Sequence, residues 1–486
     1  MAFQNLRELL AAFEQRKEIV RIKERVSPIL EITEWADRVV KAAGRDGPVL
    51  LFENVEGSSM PVVINVFGTY ARTALALGVK DFNEIAAEID ALLHQRPPET
   101  IIEKLKMLPL LAKLANFPPK KVRSGPCQEV VFEGDKVDLG ILPALKCWPQ
   151  DAGRYLTLTN VFTRDPAGLP NCGMYRIQIF DRNTAAMHWH LHHDGARHFR
   201  EWEAKGARMP IAVAIGGDPA VVYSATAPMP PGIDEMLLAG FLRKEPVALV
   251  PCVTQPSLFV PAEAEIIVEG YLEPGERRRE GPFGDHTGFY SLADDYPVLH
   301  VTALTHRKQP LYQTIVVGPP PMEDTFLGKA TERIFLPFLK LTLPEIVDYN
   351  LPEFGVFHNC AFFSIKKQYP QHARKLMHAI WGLGQIMFTK LIVVVDEHVN
   401  VQDTNAVLFH VGANCDFGRD LELVKGPTDI LDHASQHFGW TGKLGIDATK
   451  KWKDEGMVRE WPDFIVMDAA VKAKVAEQMK RLGLLK

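Results

Sequence analysis

Leu6, Leu9, Leu10 and Phe13 recur at three- and four-residue spacing, so residues 4–16 predict an amphipathic helix at the start of the chain. Strand-like runs at 19–22 and 49–52 flank a helix expected over 31–43, which makes this first portion mixed α and β. A connecting helix is expected over 99–115, between the proline pairs Pro97-Pro98 and Pro118-Pro119. From 125 to 318 the pattern changes. Strand-like runs dominate at 128–133, 155–163, 174–181, 210–216, 263–272, 297–306 and 311–317, and one helix near 234–243 interrupts them. Many strands with Gly and Pro turns point to a barrel or sandwich rather than a parallel βαβ array. Beyond 330 the elements alternate again: strand 355–365, helix 370–386, strand 391–395 and helix 402–410. Leu391-Ile392-Val393-Val394-Val395 is apolar throughout, the mark of a strand buried on both faces. Residues 469–485 place Val471, Val475, Met479 and Leu482 on one helix face, a stripe suited to docking on another subunit or on the chain's own body.

Composition narrows the class. Hydrophobic content of 47% and charged content of 24% are those of an ordinary globular enzyme, and 486 residues allow two or three domains. A net charge of −5 and only short basic runs argue against nucleic-acid binding. The six cysteines are scattered without a CxxC pair, which excludes common zinc-finger spacings and implies reduced thiols. No signal peptide and no apolar run of about 18 residues is present, so a cytoplasmic protein is expected.

Candidate chemistry concentrates in a few segments. Glu280-Gly-Pro-Phe-Gly-Asp285-His-Thr-Gly-Phe-Tyr290 sets two carboxylates five residues apart in a glycine-rich loop after a strand expected over 262–275. Glycine opens backbone conformations closed to other residues and proline fixes φ, so the loop can hold two acids in place for proton transfer; an ordinary turn with solvated acids is the plain alternative. Asn171-Cys-Gly-Met-Tyr-Arg176 opens another strand, and an arginine fork there would hold a glutamate ionised or grip a substrate carboxylate. In Met187-His-Trp-His-Leu-His-His193, a strand would align His188, His190 and His192 on one face, either as a metal site or as a polar pocket wall. Tyr223-Ser224-Ala-Thr-Ala-Pro228 is a small-residue loop through which backbone N–H groups can approach a phosphate. Glu235 is either a helix-terminal charge or a cation ligand, and Lys390 either a surface lysine or a phosphate partner. GxGxxG, Walker A and GxSxG motifs are absent.

Taken in order, these segments, with Phe388-Thr-Lys390 and Gly445-Ile-Asp-Ala-Thr449, resemble the UbiD family of decarboxylases over nearly the whole chain. The resemblance implies an α+β architecture in which a split β-barrel binding prenylated FMN (121–325) lies between an N-terminal α/β domain (1–120) and a C-terminal α/β domain (326–460), with a helical arm at 461–486. It implies Arg176, Glu280 and Asp285 as the catalytic set. Met174, Tyr175, Arg176, His188, Trp189, His190, His192, His193, Ser224 and Lys390 would meet the cofactor. Asn171, Glu235 and His193, with His192 as the one-residue alternative, would hold Mn2+ or another divalent cation, with K+ nearby. A flavin prenyltransferase would supply the cofactor, the chain would form a homodimer or homohexamer, and a polyprenylated substrate would bring it to a membrane surface. Asp285 stands where some family members carry glutamate; an apolar pocket beside Phe283 and Phe289 would raise its pKa and make it the proton donor.

The expected reaction is reversible decarboxylation of an aromatic or α,β-unsaturated acid, first of all 4-hydroxy-3-polyprenylbenzoate in ubiquinone synthesis. A dihydroxynaphthoate in menaquinone synthesis or a simpler aromatic acid are alternatives. Two other classes compete: a metal-dependent hydrolase using His188, His190 and His192 with Glu280 as base, and a catalytically silent flavin-binding protein.

Overall fold

The structure, a computed structural model, describes residues 3–42, 46–95, 117–230 and 232–484; the helix expected over 99–115 lies outside them. The opening helix Leu6–Gln15 forms as the spacing predicts, with Asn5 accepting the Glu8 N–H as its cap and Leu6, Leu9, Leu10 and Phe13 buried. Strand Ile19–Val26 pairs in parallel with Val49–Val55, which pairs antiparallel with Val62–Ile64. The fourth strand of that sheet is Tyr312–Gln313, all that forms of the run expected over 311–317. A segment distant in sequence therefore closes the first sheet. Helices Tyr70–Ala76 and Phe82–Leu93 complete this region.

The β-rich middle forms one nine-stranded sheet, with Asp294–His306 and Ile266–Glu280 adjacent at its centre. Side chains alternate across it. Ile211, Val213, Ile215, Ile266 and Val268 face one core, while Ala212, Ala214 and Ile267 face another, the two-residue period of a pleated strand with both faces covered. The strand Ile266–Glu280 runs five residues beyond the expected end at 275, through a register shift between Leu272 and Arg277, and so carries Glu280 at its tip. Two further helices interrupt the strands, Pro219–Ser224 and Asp194–Ala204. The latter was hidden in the sequence by a polar composition directly after the histidine run.

A third sheet runs in the order Ile346–Asn350, Cys360–Ile365, Leu391–Asp396, Trp440–Asp447, Leu421–Pro427. Its middle strand explains the unbroken apolar run: Ile392 and Val394 enter one core, and Val393 and Val395 enter another. Helix Glu323–Thr342 leads into this sheet, and its first residue is an anchor. Glu323 is buried and accepts the N–H groups of Asn65 at 2.9 Å and Phe67 at 2.7 Å, tying the first sheet to the helix. The C-terminal helix Ala469–Arg481 buries no residue, and Val471, Val475 and Leu482 are exposed. No helix among the described residues is long and apolar enough to cross a membrane.

Glu323→Ala strands two buried backbone donors and is expected to lower stability by about 2–4 kcal/mol. Urea unfolding of the variant beside the wild type measures this.

Candidate active site

Arg176 lies between the strands Pro170–Gly173 and Ile177–Ile179, with its guanidinium turned into the sheet. It donates from Nε to Glu280 Oε1 at 3.0 Å, from Nη2 to Glu280 Oε2 at 3.1 Å, and from Nη2 to Ser291 Oγ at 2.8 Å. Nη1 is ion-paired with Asp285 Oδ2, and the guanidinium lies over the Phe283 ring, 4.6 Å from its centroid. Glu280 is wholly buried, and Arg176 and Asp285 are 8% and 7% exposed. One arginine thus joins two carboxylates away from water.

The hairpin of Phe283–Gly284 and Tyr290–Ser291 presents Asp285. Asp151, which sequence reasoning passed over, pins it by accepting the N–H of Gly284 at 2.7 Å and of Trp148 at 2.8 Å. Gln178 accepts the Gly281 N–H at 2.9 Å. Gly284 has to be glycine, since a Cβ there would lie 2.2 Å from Trp148 Cδ1.

Ionisation follows from these contacts. Burial pushes the Glu280 carboxyl up, but the His188 hydrogen bond and the Arg176 charge outweigh it and hold the group at about 2. Burial also opposes ionisation of Asp285, yet Arg176 and His286 hold it well below the usual carboxylate range. This corrects the expectation of an Asp285 raised by an apolar pocket. Phe283 stacks on the arginine and Phe289 is 55% exposed, so the nearest influence on Asp285 is a cation.

The histidine run is not a strand. The strand Thr184–Met187 ends before it, and the following residues turn into helix Asp194–Ala204. His188 lies 2.8 Å from Glu280 through Nδ1 and 2.7 Å from His190 Nε2 through Nε2. Because Glu280 is ionised, His188 Nδ1 carries the proton and Nε2 accepts from His190. Burial, then Arg176, lowers the pKa of His188 and keeps it neutral. The His190 N–H donates to His193 Nδ1 at 3.1 Å, and the two rings stack 4.8 Å apart. His192 is exposed and meets Phe388 at 5.5 Å. His188, His190 and His192 therefore do not converge, and among the described residues no cluster of three or more His, Cys, Asp or Glu side chains is placed to hold a metal.

Asn171, Glu235 and His193 do gather, around Tyr175. The Tyr175 ring lies 5.0 Å from that of His193, and Asn171 lies beside Tyr175. Glu235 accepts the Cys172 N–H at 2.8 Å. Burial pushes Glu235 up to about 7, with Asp234 and Asp194 adding repulsion, and no cationic side chain pairs with it among the described residues. A carboxylate in that position accommodates a cation. Beside Tyr175, Met174 N–H donates to Ala225 O at 2.9 Å, which brings Ser224 alongside. Ser224 Oγ and Trp189 Nε1 are both buried without a hydrogen-bond partner among the described residues, two donors available to a polar ligand. Ser224 closes a short helix rather than lying in the expected loop.

The third sheet supplies the far wall. The Phe357 ring stacks on His286 at 5.3 Å, His358 Nε2 lies 2.8 Å from His286 Nε2, and the ring of His433 is 3.9 Å from that of Phe289. Lys390 pairs with Asp432 at 2.8 Å, and its neighbour Phe388 is the ring that meets His192. No sequence motif marks 353–359 or 429–433, and only the fold brings them here.

Three family models match: the N-terminal domain of 3-octaprenyl-4-hydroxybenzoate carboxy-lyase over residues 10–92, its Rift-related domain over 120–320, and its C-terminal domain over 325–448. The chain belongs to the UbiD family. UbiD enzymes are carboxy-lyases, and so is this chain. An uncharacterised protein of Archaeoglobus fulgidus is 51% identical over 98% of each chain. Among solved structures, the closed form of Sedimentibacter hydroxybenzoicus vanillic acid decarboxylase matches with 28% identity, 99% coverage of both chains and a TM-score of 0.88. The UbiD-class enzyme HmfF of Pelotomaculum thermopropionicum, in complex with FMN, matches with 30% identity, 97% and 99% coverage and a TM-score of 0.78. An evolved dimeric form of HmfF was solved with prFMN; it has 28% identity, 98% and 100% coverage and a TM-score of 0.79. This chain shares their mixed α/β fold.

Arg176→Met leaves two buried carboxylates without a counter-charge and is expected to cost about 3–5 kcal/mol at neutral pH. The pH dependence should also invert. In the wild type the Glu280 and Asp285 pKa values are depressed on folding, so their stabilisation is full above about pH 5 and is lost as pH falls toward 2. Without Arg176 burial gains the upper hand at Asp285, while the His188 hydrogen bond still holds Glu280 down, and the melting temperature should rise from pH 7 to pH 5. Thermal melts across that range decide it.

Proposed function

We propose that this protein catalyses the non-oxidative, reversible decarboxylation of an aromatic acid, with Arg176, Glu280 and Asp285 as its catalytic residues and prenylated FMN as its cofactor. The observation that carries the reading is the buried Glu280–Arg176–Asp285 bridge, since a binding module has no use for two carboxylates held ionised at 0% and 7% exposure. We read the nine-stranded sheet as the split barrel that carries the flavin. The unpartnered Ser224 Oγ and Trp189 Nε1 fit a polar ligand beside Met174 and Tyr175, in company with Arg176, His188, His190, His192 and His193. Asn171, Glu235 and His193 would hold Mn2+ or another divalent cation with K+ nearby, and Lys390 would exchange Asp432 for the cofactor phosphate.

Bound prenylated FMN supplies the electron sink that side chains lack for the pair left by departing CO2. The side chains do the rest. Arg176 turns its fork to the substrate carboxylate, orients it, and in doing so releases Asp285. With its cation engaged elsewhere, burial dominates at Asp285, its pKa climbs, and it takes up a proton. Glu280 stays ionised against His188 and balances the arginine. Asp285 then delivers its proton to the carbon that lost CO2.

The family description supports 4-hydroxy-3-polyprenylbenzoate, as used in ubiquinone synthesis, as the first substrate to test. Likeness to a vanillic acid decarboxylase at a TM-score of 0.88 favours a simpler hydroxybenzoic acid as the second. A flavin prenyltransferase would supply the cofactor, and a polyprenylated substrate would bring the protein against a membrane surface. The tail supports a homo-oligomer: Val458 is 97% exposed and Ile465 95%, and both lead into the uncovered stripe of the last helix.

Protein co-expressed with a flavin prenyltransferase should release prenylated FMN on denaturation, read by mass and absorption, and should release CO2 from one of these acids. Asp285→Asn should keep the cofactor and lose turnover roughly 10²- to 10⁴-fold; wild-type turnover in that variant sinks the assignment. Removal of residues 457–486 should lower the mass measured by light scattering to that of a smaller assembly, whereas an unchanged mass places the subunit contact elsewhere.

A further inference from the structure

We propose that His286 and His358 form a proton-transfer chain that recharges Asp285 between turnovers. The inference rests on the decarboxylase reading and extends it to two residues outside the Arg176–Glu280–Asp285 set. Each cycle moves one proton to carbon, and in the protein at rest Asp285 is ionised against Arg176. A proton must therefore reach a carboxylate that is 7% exposed.

The geometry supplies one path. Asp285 uses its two oxygens differently: Oδ2 faces Arg176, while Oδ1 accepts the backbone N–H of His286 at 2.8 Å and lies 2.9 Å from His286 Nδ1. An ionised Oδ1 places a proton on that nitrogen. His286 Nε2 lies 2.8 Å from His358 Nε2, a separation that two ring nitrogens tolerate only with one hydrogen between them. Hydrogen bonds thus run unbroken from Asp285 Oδ1 to His358. The outer nitrogen, His358 Nδ1, is buried and has no hydrogen-bond partner among the described residues, so it is the open end of the chain.

The backbone gives a second, independent sign. Val356 and Phe357 lie at φ of 43° and 51°, a left-handed conformation unfavourable for any side chain and most of all for a β-branched one. Two consecutive strained residues turn Phe357 onto the His286 ring and His358 onto its Nε2.

The charged groups facing the pair set its direction. Burial lowers both rings, but Asp285, then Asp324 and Asp429, raise His286 above its ordinary value. His358 is pushed down to about 4 by burial and by His286, with Asp429, Asp285 and Asp432 opposing. A proton taken up by the pair is therefore drawn toward the ring nearer Asp285. The transfers balance. His358 Nδ1 takes a proton, its Nε2–H passes to His286 Nε2, and the His286 Nδ1–H passes to Asp285. Asp285 delivers that proton to carbon and returns to carboxylate, and both rings end neutral, each with its one proton on the other nitrogen; they are reset by rotamer or tautomer exchange before the next cycle.

His286 and His358 act through Asp285, so the decisive variant is one that keeps the packing and blocks the transfer. His358→Gln can still donate to His286 Nε2 but cannot pass a proton on. In the holoenzyme, assayed with vanillic acid and with 4-hydroxy-3-prenylbenzoic acid, it should retain cofactor and lose turnover roughly tenfold to hundredfold near neutral pH. The loss should shrink at acidic pH, and added imidazole should restore the rate. His286→Gln should behave alike. Variants equal to an active wild type across the pH range overturn the relay alone, and so does a loss that imidazole and acid leave untouched. A wild type that consumes neither acid overturns the substrate assignment of the proposed function, and the relay is then decided by the readout that needs no substrate. An independent readout needs neither substrate nor variant: in ¹⁵N-histidine-labelled protein, one downfield proton should couple to two ring nitrogens, and its absence refutes the shared hydrogen.

Discussion

Everything in this site depends on a single guanidinium held out of water between two carboxylates. In a low-dielectric setting neither acid could stay ionised alone, and a lone arginine could not remain buried. Together they stabilise one another, and the arrangement has two alternatives of comparable merit: arginine bound to Asp285, or arginine bound to an incoming carboxylate. Binding a carboxylate therefore changes the protonation preference of a neighbour that the ligand need not touch. Recognition and acid strength are coupled through one side chain.

That coupling requires a rigid frame, and the frame is the centre of the nine-stranded sheet. Glu280 ends a fifteen-residue strand whose earlier residues are locked on both sides by pairing and packing. Arg176 directly precedes the strand Ile177–Ile179, and the His188 N–H returns to Arg176 O at 3.3 Å. Asp285 alone rides on a hairpin, and Asp151 and Gln178 bind that hairpin back to the sheet. A fixed glutamate that anchors the arginine, beside a tethered but separate aspartate, matches a group that must gain and lose a proton as the guanidinium changes partners.

Much of this was legible in the residues. The amphipathic first helix, the β-rich middle and the doubly buried strand around Val393 follow from spacing alone, because each element's burial repeats with its own period. Arg176, Glu280 and Asp285 could be singled out by residue type and loop chemistry, and the fold brings them together. What escaped was of another kind. Helix Asp194–Ala204 is polar enough to read as loop, so the histidines before it were mistaken for a strand. Asp151 carries no motif, since its function is to accept two backbone N–H groups whose positions only the fold defines. His358 lies more than seventy residues from its partner in a segment of unremarkable composition. The pKa of Asp285 was misjudged because neighbouring apolar residues were visible in the sequence and the distance to Arg176 was not.

The wall contributed by the third sheet has an evolutionary corollary. Phe357, His358 and His433 reach the hairpin that carries Asp285 from a different sheet, on segments whose backbones take no part in holding Arg176 or Glu280. The buried ion pairs and much of the surface that frames them thus sit on separate structural modules. Substitution at His433 can reshape that surface without removing a contact of Arg176 or Glu280. A lineage built this way can vary its wall while the buried charges are inherited unchanged.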